Sequence, residues 1–323
     1  MATSDDLRQQ KAPAGAAGAF LREETLCRLC PRSCGALRLP DKAGGFCASP
    51  MTMKIARAAV HFGEEPCLCG SRGSGAIFFT GCNLRCVFCQ NHEISRSACG
   101  SEISVPGLRE IILRLEDEGV HNIDLVTPTH FLPLIAEALA GMHLQIPVVW
   151  NSSGYESAEQ LRQLEGLIQI YMPDYKYADA DLAAGLSFAP DYPQAALSAI
   201  REMFRQTGPF VMDENGLLRS GVLIRHLILP GHIENTLRVI DSLEDDLPYK
   251  DILFSLLAQY TPIEALIPSL EHYPELCRRV SQEEYQRVMD YLNFSPIEEG
   301  YVQELSSAGE EAIPVFDGTG VVK

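Results

Sequence analysis

Positive charge is scarce in this chain. Its 26 Lys and Arg stand against 43 Asp and Glu, a formal charge of −17 over 323 residues. So acidic a molecule repels polyphosphate, which argues against DNA or RNA as the main partner. Long apolar runs are lacking too: none approaches the ~18–20 residues of a membrane span, so no membrane association is expected. The first twenty residues, MATSDDLRQQKAPAGAAGAF, lack the basic start and long apolar stretch of a signal peptide. They read as a disordered tail, 1–20, on a cytoplasmic protein. No long repeat and no low-complexity block follows. What remains, at 46% hydrophobic, is enough for one large α/β domain or two smaller ones.

Cysteine is abundant. Of eleven, nine lie between residues 27 and 89, with Cys99 and Cys277 apart. An odd number in a reducing compartment disfavours a disulfide framework and points to metal. Cys27, Cys30, Cys34 and Cys47 follow C-x2-C-x3-C-x12-C. Four thiolates can close a tetrahedral site, and zinc or a second iron–sulfur cluster both fit. Residues 21–70 are rich in Cys, Gly and Pro with little periodicity, and read as a small metal-binding module that needs such a staple. Cys67 and Cys69, a C-x-C pair, fit either group and stay unassigned. Cys99 and Cys277 read as structural or incidental.

The second group lies in FFTGCNLRCVFCQN, residues 78–91, with Cys82, Cys86 and Cys89 spaced C-x3-C-x2-C. Three thiolates leave one position open. Either His92 or Cys99 closes it as a zinc knuckle, or the loop holds a 4Fe-4S cluster whose fourth iron is free to bind a cofactor or substrate.

From residue 74 onward apolar runs alternate with helical periodicity. GAIFFT, NIDLVTP, IPVVWNSSG, LIQIYMPDYK, GVLIRHLILPG and DILFSLLAQYTP read as six strands. They are continuously apolar, as expected of parallel strands buried on both faces. Helices lie between them: Leu108, Ile111, Ile112 and Leu115 recur at helical spacing, and capping boxes are expected at Ser157–Gln160 and Ser281–Glu284. The pattern is α/β, an open doubly wound sheet or a partial or full (β/α)6-type barrel over 71–323. Polar residues gather where strands end, at Thr127–His130, Asn151–Gly154, Asp174–Lys176, Arg225–His226 and Gln259–Tyr260. Strand C-termini form the ligand face of such folds.

The three-cysteine loop, its Phe88 and its place after the first strand resemble the radical S-adenosylmethionine (SAM) superfamily. Together with CRLCPRSCG, ARAAVHFGEEPC, VTPTHF, MPDYKY, IRHLILPG and QYTP, they resemble the PflX-type relatives of pyruvate formate-lyase activating enzyme, from about residue 25 to the C-terminal IPVFDGTG. The resemblance implies a radical SAM barrel in which Cys82, Cys86 and Cys89 hold a 4Fe-4S cluster, SAM chelates the unique iron, and reductive cleavage gives a 5′-deoxyadenosyl radical that takes a hydrogen atom from substrate. It implies an electron donor such as flavodoxin or ferredoxin, and a protein substrate if the reaction is activation of a glycyl radical enzyme. Radical modification of another protein or a small molecule is a second reading, and a zinc-stabilised binding scaffold a third.

The family's Gly-Gly-Glu stretch, which helps hold the SAM amino group, is replaced here by Thr127-Pro128-Thr129-His130. The hydroxyls of Thr127 and Thr129 and the His130 imidazole offer acceptors in its stead. Asn151–Gly154 resembles the family's Thr-Asn-Gly turn. Asp174 and Lys176 match its Asp-Leu-Lys, which implies Lys176 on the SAM carboxylate or ribose and Asp174 holding it; the alternative is a rim salt bridge. Arg225 matches a strand arginine suited to a carboxylate, or forms an internal ion pair. His226 reads as a core histidine on the opposite face, while Gln259 and Tyr260 open towards the pocket.

Overall fold

A computed structural model describes residues 26–40, 42–97, 99–307 and 314–321. The tail expected over residues 1–20 lies outside the described residues, as do residues 21–25 of the cysteine-rich module. The strands are β1 Met53–His61, β2 Ser74–Phe79, β3 Ser101–Ile103, β4 Ile123–Val126, β5 Val148–Ser152, β6 Ile170–Pro173, β7 Val211–Met212, β8 Leu218–Leu227, β9 Leu253–Leu257 and β10 Gly300–Val302. Every residue of β2, β4, β5 and β6 is buried, because helices cover one face and the barrel lumen takes the other.

All six runs read as parallel strands are parallel strands: β2, β4, β5, β6, β8 and β9 pair in that order, and β10 adds a seventh beside β9. The sheet ends on β10 at one side and on β3 at the other. Among the described residues no strand pairing joins those ends, so the barrel is partial. β1 pairs antiparallel with both β2 and β3, and β7 pairs antiparallel with β8. β1 falls inside the stretch 21–70 that showed little periodicity. A bulge between Ile55 and Arg57 breaks its alternation, yet it is a full nine-residue strand of the main sheet.

The helix Val105–Asp117 buries Leu108, Ile111, Ile112 and Leu115 on one face and is capped by the Ser104 hydroxyl. Ser281 and Glu284 form the reciprocal box expected of them. At Ser157 only half the box forms: its hydroxyl caps Gln160 N, but the Gln160 side chain turns to Gln163, and the helix yields to a 3₁₀ turn after Leu161. No helix among the described residues is long and apolar enough to cross a membrane.

The turn after β5 brings two strand ends together. Gly154 has φ +72°, and a Cβ there would sit 2.1 Å from the Asp174 carbonyl oxygen. Gly154→Ala is therefore expected to lower stability by roughly 2 kcal/mol, read as a fall in the denaturant midpoint with an unchanged m-value.

Candidate active site

The loop that leaves β2 turns on Gly81, whose φ is +84° and whose place a Cβ would fill against Ser49 Oγ and the Cys47 carbonyl. Past that turn Cys82, Cys86 and Cys89 face a common interior. Each sulfur lies near one donor from a different element. Leu84 N donates to Cys82 Sγ at 3.3 Å, Ser187 Oγ to Cys86 Sγ at 3.0 Å, and Ser95 Oγ lies 3.4 Å from Cys89 Sγ. Tyr177 OH is 2.7 Å from the same Ser187 hydroxyl, and Phe88 packs edge-on against Tyr260. Burial and the neighbouring Cys86 sulfur push the Cys82 and Cys89 thiols up, while the Lys176 ammonium pulls both down.

Lys176 joins the thiols to a polar chain from three other strand ends. Its Nζ donates to Asp174 Oδ2 at 2.6 Å. Arg225 donates from Nε to Asp174 Oδ1 at 3.1 Å, from Nη1 to Glu64 Oε2 at 3.0 Å, and from Nη2 to Asn151 Oδ1 at 2.7 Å. Asn151 Nδ2 donates to Asp124 Oδ2 at 3.2 Å. Burial would raise the Asp174 carboxyl, but Lys176 and Arg225 together hold it below its ordinary range. Burial likewise lowers Lys176, and Asp174 and Cys86 more than offset it. The Asp174–Lys176 pair and the internal ion pairs of Arg225 are thus present, alongside their position facing the thiols.

Thr127, Thr129 and His130 part company. Thr129 donates to Glu156 Oε1 at 2.9 Å, a buried carboxylate that also accepts from Trp150 Nε1 and Ser152 Oγ. His130 is buried, with Nε2 2.7 Å from the Thr80 carbonyl oxygen. Burial and the nearby Arg38 lower its pKa to about 3, so the ring is neutral. Both side chains are buried beneath the loop, where Thr129 Oγ1 and His130 Nε2 are taken up by protein partners and His130 Nδ1 has none among the described residues. Thr127 stays half-buried at the strand end with φ +58°, a left-handed value that a β-branched residue adopts only under strain.

His226 is a core histidine, as read: Nδ1 is 2.7 Å from the Tyr175 carbonyl and Nε2 3.0 Å from Thr236 Oγ1. Gln259 pairs with Gln303 and Tyr260 donates to the Leu276 carbonyl. Cys67 and Cys69 join neither thiol group. They lie in the buried helix Pro66–Cys69, whose Cys67 and Leu68 pack with the inward residues of β5, β6, β8 and β9.

Three acids were missed by sequence reasoning. Glu64 and Glu65 precede that helix, and Asp124 interrupts the apolar β4; a lone acid in a strand buried on both faces was the available signal. Asp124 is fully buried, and its Oδ1, like Glu65 Oε2, has no hydrogen-bond partner. Burial and then the Glu64 carboxylate raise Asp124 well above the ordinary range. A raised carboxyl stabilises the fold fully below its unfolded pKa of ~3.9, and that contribution is lost as pH rises through the folded value. Asp124→Asn is accordingly expected to be more stable than the parent at pH 7 by roughly 1–3 kcal/mol, with the advantage gone below about pH 4. Urea melts at both pH values check this.

The donor set suits an iron–sulfur cluster. All three ligands are soft thiols, and each has a hydrogen-bonding neighbour of the kind that tunes such centres. Among the described residues no three His, Cys, Asp or Glu side chains converge as a single-ion site. A cluster that places each thiolate on its own iron does not ask for that convergence.

A parallel β/α sheet carries the three-thiol loop at the C-terminal end of its first parallel strand, which places the thiols at the ligand face. Residues 76–181 match the family model of the Radical SAM superfamily. It is 28% identical over 273 residues to an uncharacterized protein of Methanocaldococcus jannaschii, covering 82% of this chain and 73% of that one. Similar solved structures include Streptococcus suis SuiB bound to S-adenosylmethionine, with TM-score 0.45, 15% identity, and 69% of this chain and 48% of that one covered. HydG, a maturase of the FeFe-hydrogenase, matches with TM-score 0.45 and 14% identity over 69% of this chain and 49% of its own. A mutant of spore photoproduct lyase matches with TM-score 0.46 and 12% identity over 70% and 74%. The chain spans about half the length of SuiB and HydG.

Proposed function

We propose that the chain is a radical SAM enzyme in which Cys82, Cys86 and Cys89 hold a 4Fe-4S cluster and the unique iron receives SAM. The observation that carries this reading is the gathering of the three thiols beside the Lys176–Asp174–Arg225–Asn151 chain from the ends of β5, β6 and β8. When bound, cluster and SAM supply an electron and a 5′-deoxyadenosyl radical. The protein's part is to bind, orient and exclude water. Lys176, fixed by Asp174, offers an ammonium to an anionic oxygen. Thr127 supplies a short polar contact at the rim, Asn151 braces Arg225 from below, and Arg225 sets the angle of Asp174. Thr129 and His130 carry the loop and do not reach the cofactor.

By resemblance to the activating enzymes, the hydrogen is taken from a backbone glycine of a partner protein, with flavodoxin or ferredoxin as donor, in a reducing cytoplasm. Anaerobic reconstitution followed by iron and sulfide counts, then SAM with a reductant, tests the first part: 5′-deoxyadenosine is expected. A glycyl-radical signal by electron paramagnetic resonance on a co-incubated partner tests the second. Zinc alone at the loop, with no SAM cleavage, would return the chain to a binding scaffold.

A further inference from the structure

The irregular segment that opens the described chain is docked on the three-thiol loop by a reciprocal clasp. Arg32, between Cys30 and Cys34, donates from Nε to the Asn83 carbonyl, from Nη1 to the Phe188 carbonyl and from Nη2 to that of Ser187. Arg85, between Cys82 and Cys86, answers by donating from Nε and Nη2 to the Phe46 carbonyl. Both guanidinium groups lie over the Phe46 ring, at 3.4 and 4.5 Å from its centroid. Ser187, whose carbonyl Arg32 grips, is the residue whose hydroxyl reaches Cys86.

This clasp demands a stiff frame, and the segment has little of its own. No helix or strand is present among its described residues before β1, and Leu26, Leu37 and Leu39 are exposed. Its shape rests on tight turns around the thiols: Ser33 N donates to the Cys30 carbonyl, Gly35 N to that of Cys27, and Ala48 N to that of Gly45. Ser33 and Ala48 hold left-handed φ values of 41° and 53° beside Cys34 and Cys47, and Gly45 leaves no room for a Cβ against Cys34 Sγ. Strain of this kind persists only where something over-determines it. The same turns bring the four residues into one neighbourhood: Cys27 N donates to the Ala36 carbonyl, and Gly45, two residues before Cys47, lies against Cys34 Sγ, although among the described residues no three of the sulfurs converge as a single-ion site in this structure.

We propose that Cys27, Cys30, Cys34 and Cys47 bind a thiophilic metal centre, zinc or iron–sulfur, and that its loading sets Arg32 and Phe46 against the Cys82–Cys89 loop. Loading requires the side chains to rearrange so that four thiolates meet the centre, and the metal then supplies the stability that a core would otherwise give. Arg32 then acts as a positioning residue for the loop. This stands whatever the loop itself carries.

The test uses the full chain with Cys82, Cys86 and Cys89 all changed to Ala, purified anaerobically, so that loop metal is excluded. Zinc, iron and sulfide are counted. About one zinc per chain, or iron with matching sulfide, supports the site and identifies its metal; no metal, or disulfides among the four, overturns it. In the chain with its loop intact, Cys30→Ser is expected to lose that centre alone, which guards against misfolding of the triple variant. The coupling is read by tryptic cleavage after Arg85. Stripping the centre with a chelator is expected to speed cleavage by about tenfold, and Arg32→Ala to do so with the metal retained. Cleavage rates indifferent to both overturn the coupling.

Discussion

Replacing Cys86 with alanine is expected to bring 5′-deoxyadenosine formation down to background while leaving the fold in place. Cys86 is the middle and most buried of the three thiols, and its sulfur is the neighbour that raises the other two. Without it the loop offers two ligands, too few to hold a cluster with one vacant iron. The packing cost is small, since one sulfur atom is removed and the partner hydroxyl of Ser187 keeps Tyr177. A loss of roughly 1 kcal/mol covers the broken hydrogen bond. Ser187→Ala is the companion variant. It keeps all three ligands and removes one hydrogen bond to sulfur, so a fall of about 10–100-fold is expected, the range for an outer partner of a metal ligand. Iron content, deoxyadenosine yield and thermal melts are read on both. Full cleavage of SAM by Cys86→Ala would sink the assignment of the loop.

Asp174→Ala is expected to be the most destabilising change at the site, by about 3 kcal/mol. The carboxylate stands between two cations, with Lys176 on one oxygen and Arg225 on the other. Arg225 and Glu64 are largely buried, so removing the acid strands charge away from water, the costly way to break a pair. Asp174→Asn keeps the shape and isolates the charge. The Asp174 carboxyl is depressed by its two cations, so its stabilisation is present above the unfolded carboxylate pKa of ~3.9 and lost as pH falls through the lower folded value. The gap between parent and Asp174→Asn should therefore be full at pH 7 and close only in acid below the ordinary carboxylate range. Guanidinium melts across that interval read it directly, and a gap independent of pH would mean that the charge has no part in holding Lys176 and Arg225.

What the sequence made legible and what it did not divide along physical lines. The parallel strands were readable because burial on both faces leaves unbroken apolar runs such as SGAIFF and IDLV. β1 escaped because its alternation is broken by a bulge, and its arginine and lysine gave it a surface look. That Asp174, Lys176, Arg225 and Asn151 would lie together was legible because they end strands, and the fold brings those ends to one face. The burial of Thr129 and His130 was not legible, because a position in sequence does not say which way a 3₁₀ turn points its side chains. Here Thr129–Phe131 turns them into the core. Glu64 and Arg32 left no local signal at all. Their partners, Arg225, Asn83 and Ser187, lie 51 to 161 residues away, and only the closed structure pairs them.

That separation bears on how the molecule is made. The cysteine-rich segment leaves the ribosome early, yet Arg32 cannot find Ser187, 155 residues downstream, until most of the barrel has been synthesised. At ordinary translation rates the wait is on the order of ten to thirty seconds. For most of it four thiols, joined after about a third of the interval by Cys82, Cys86 and Cys89, lack the contacts that later seat them. A segment made before the barrel therefore waits for the barrel before it is seated.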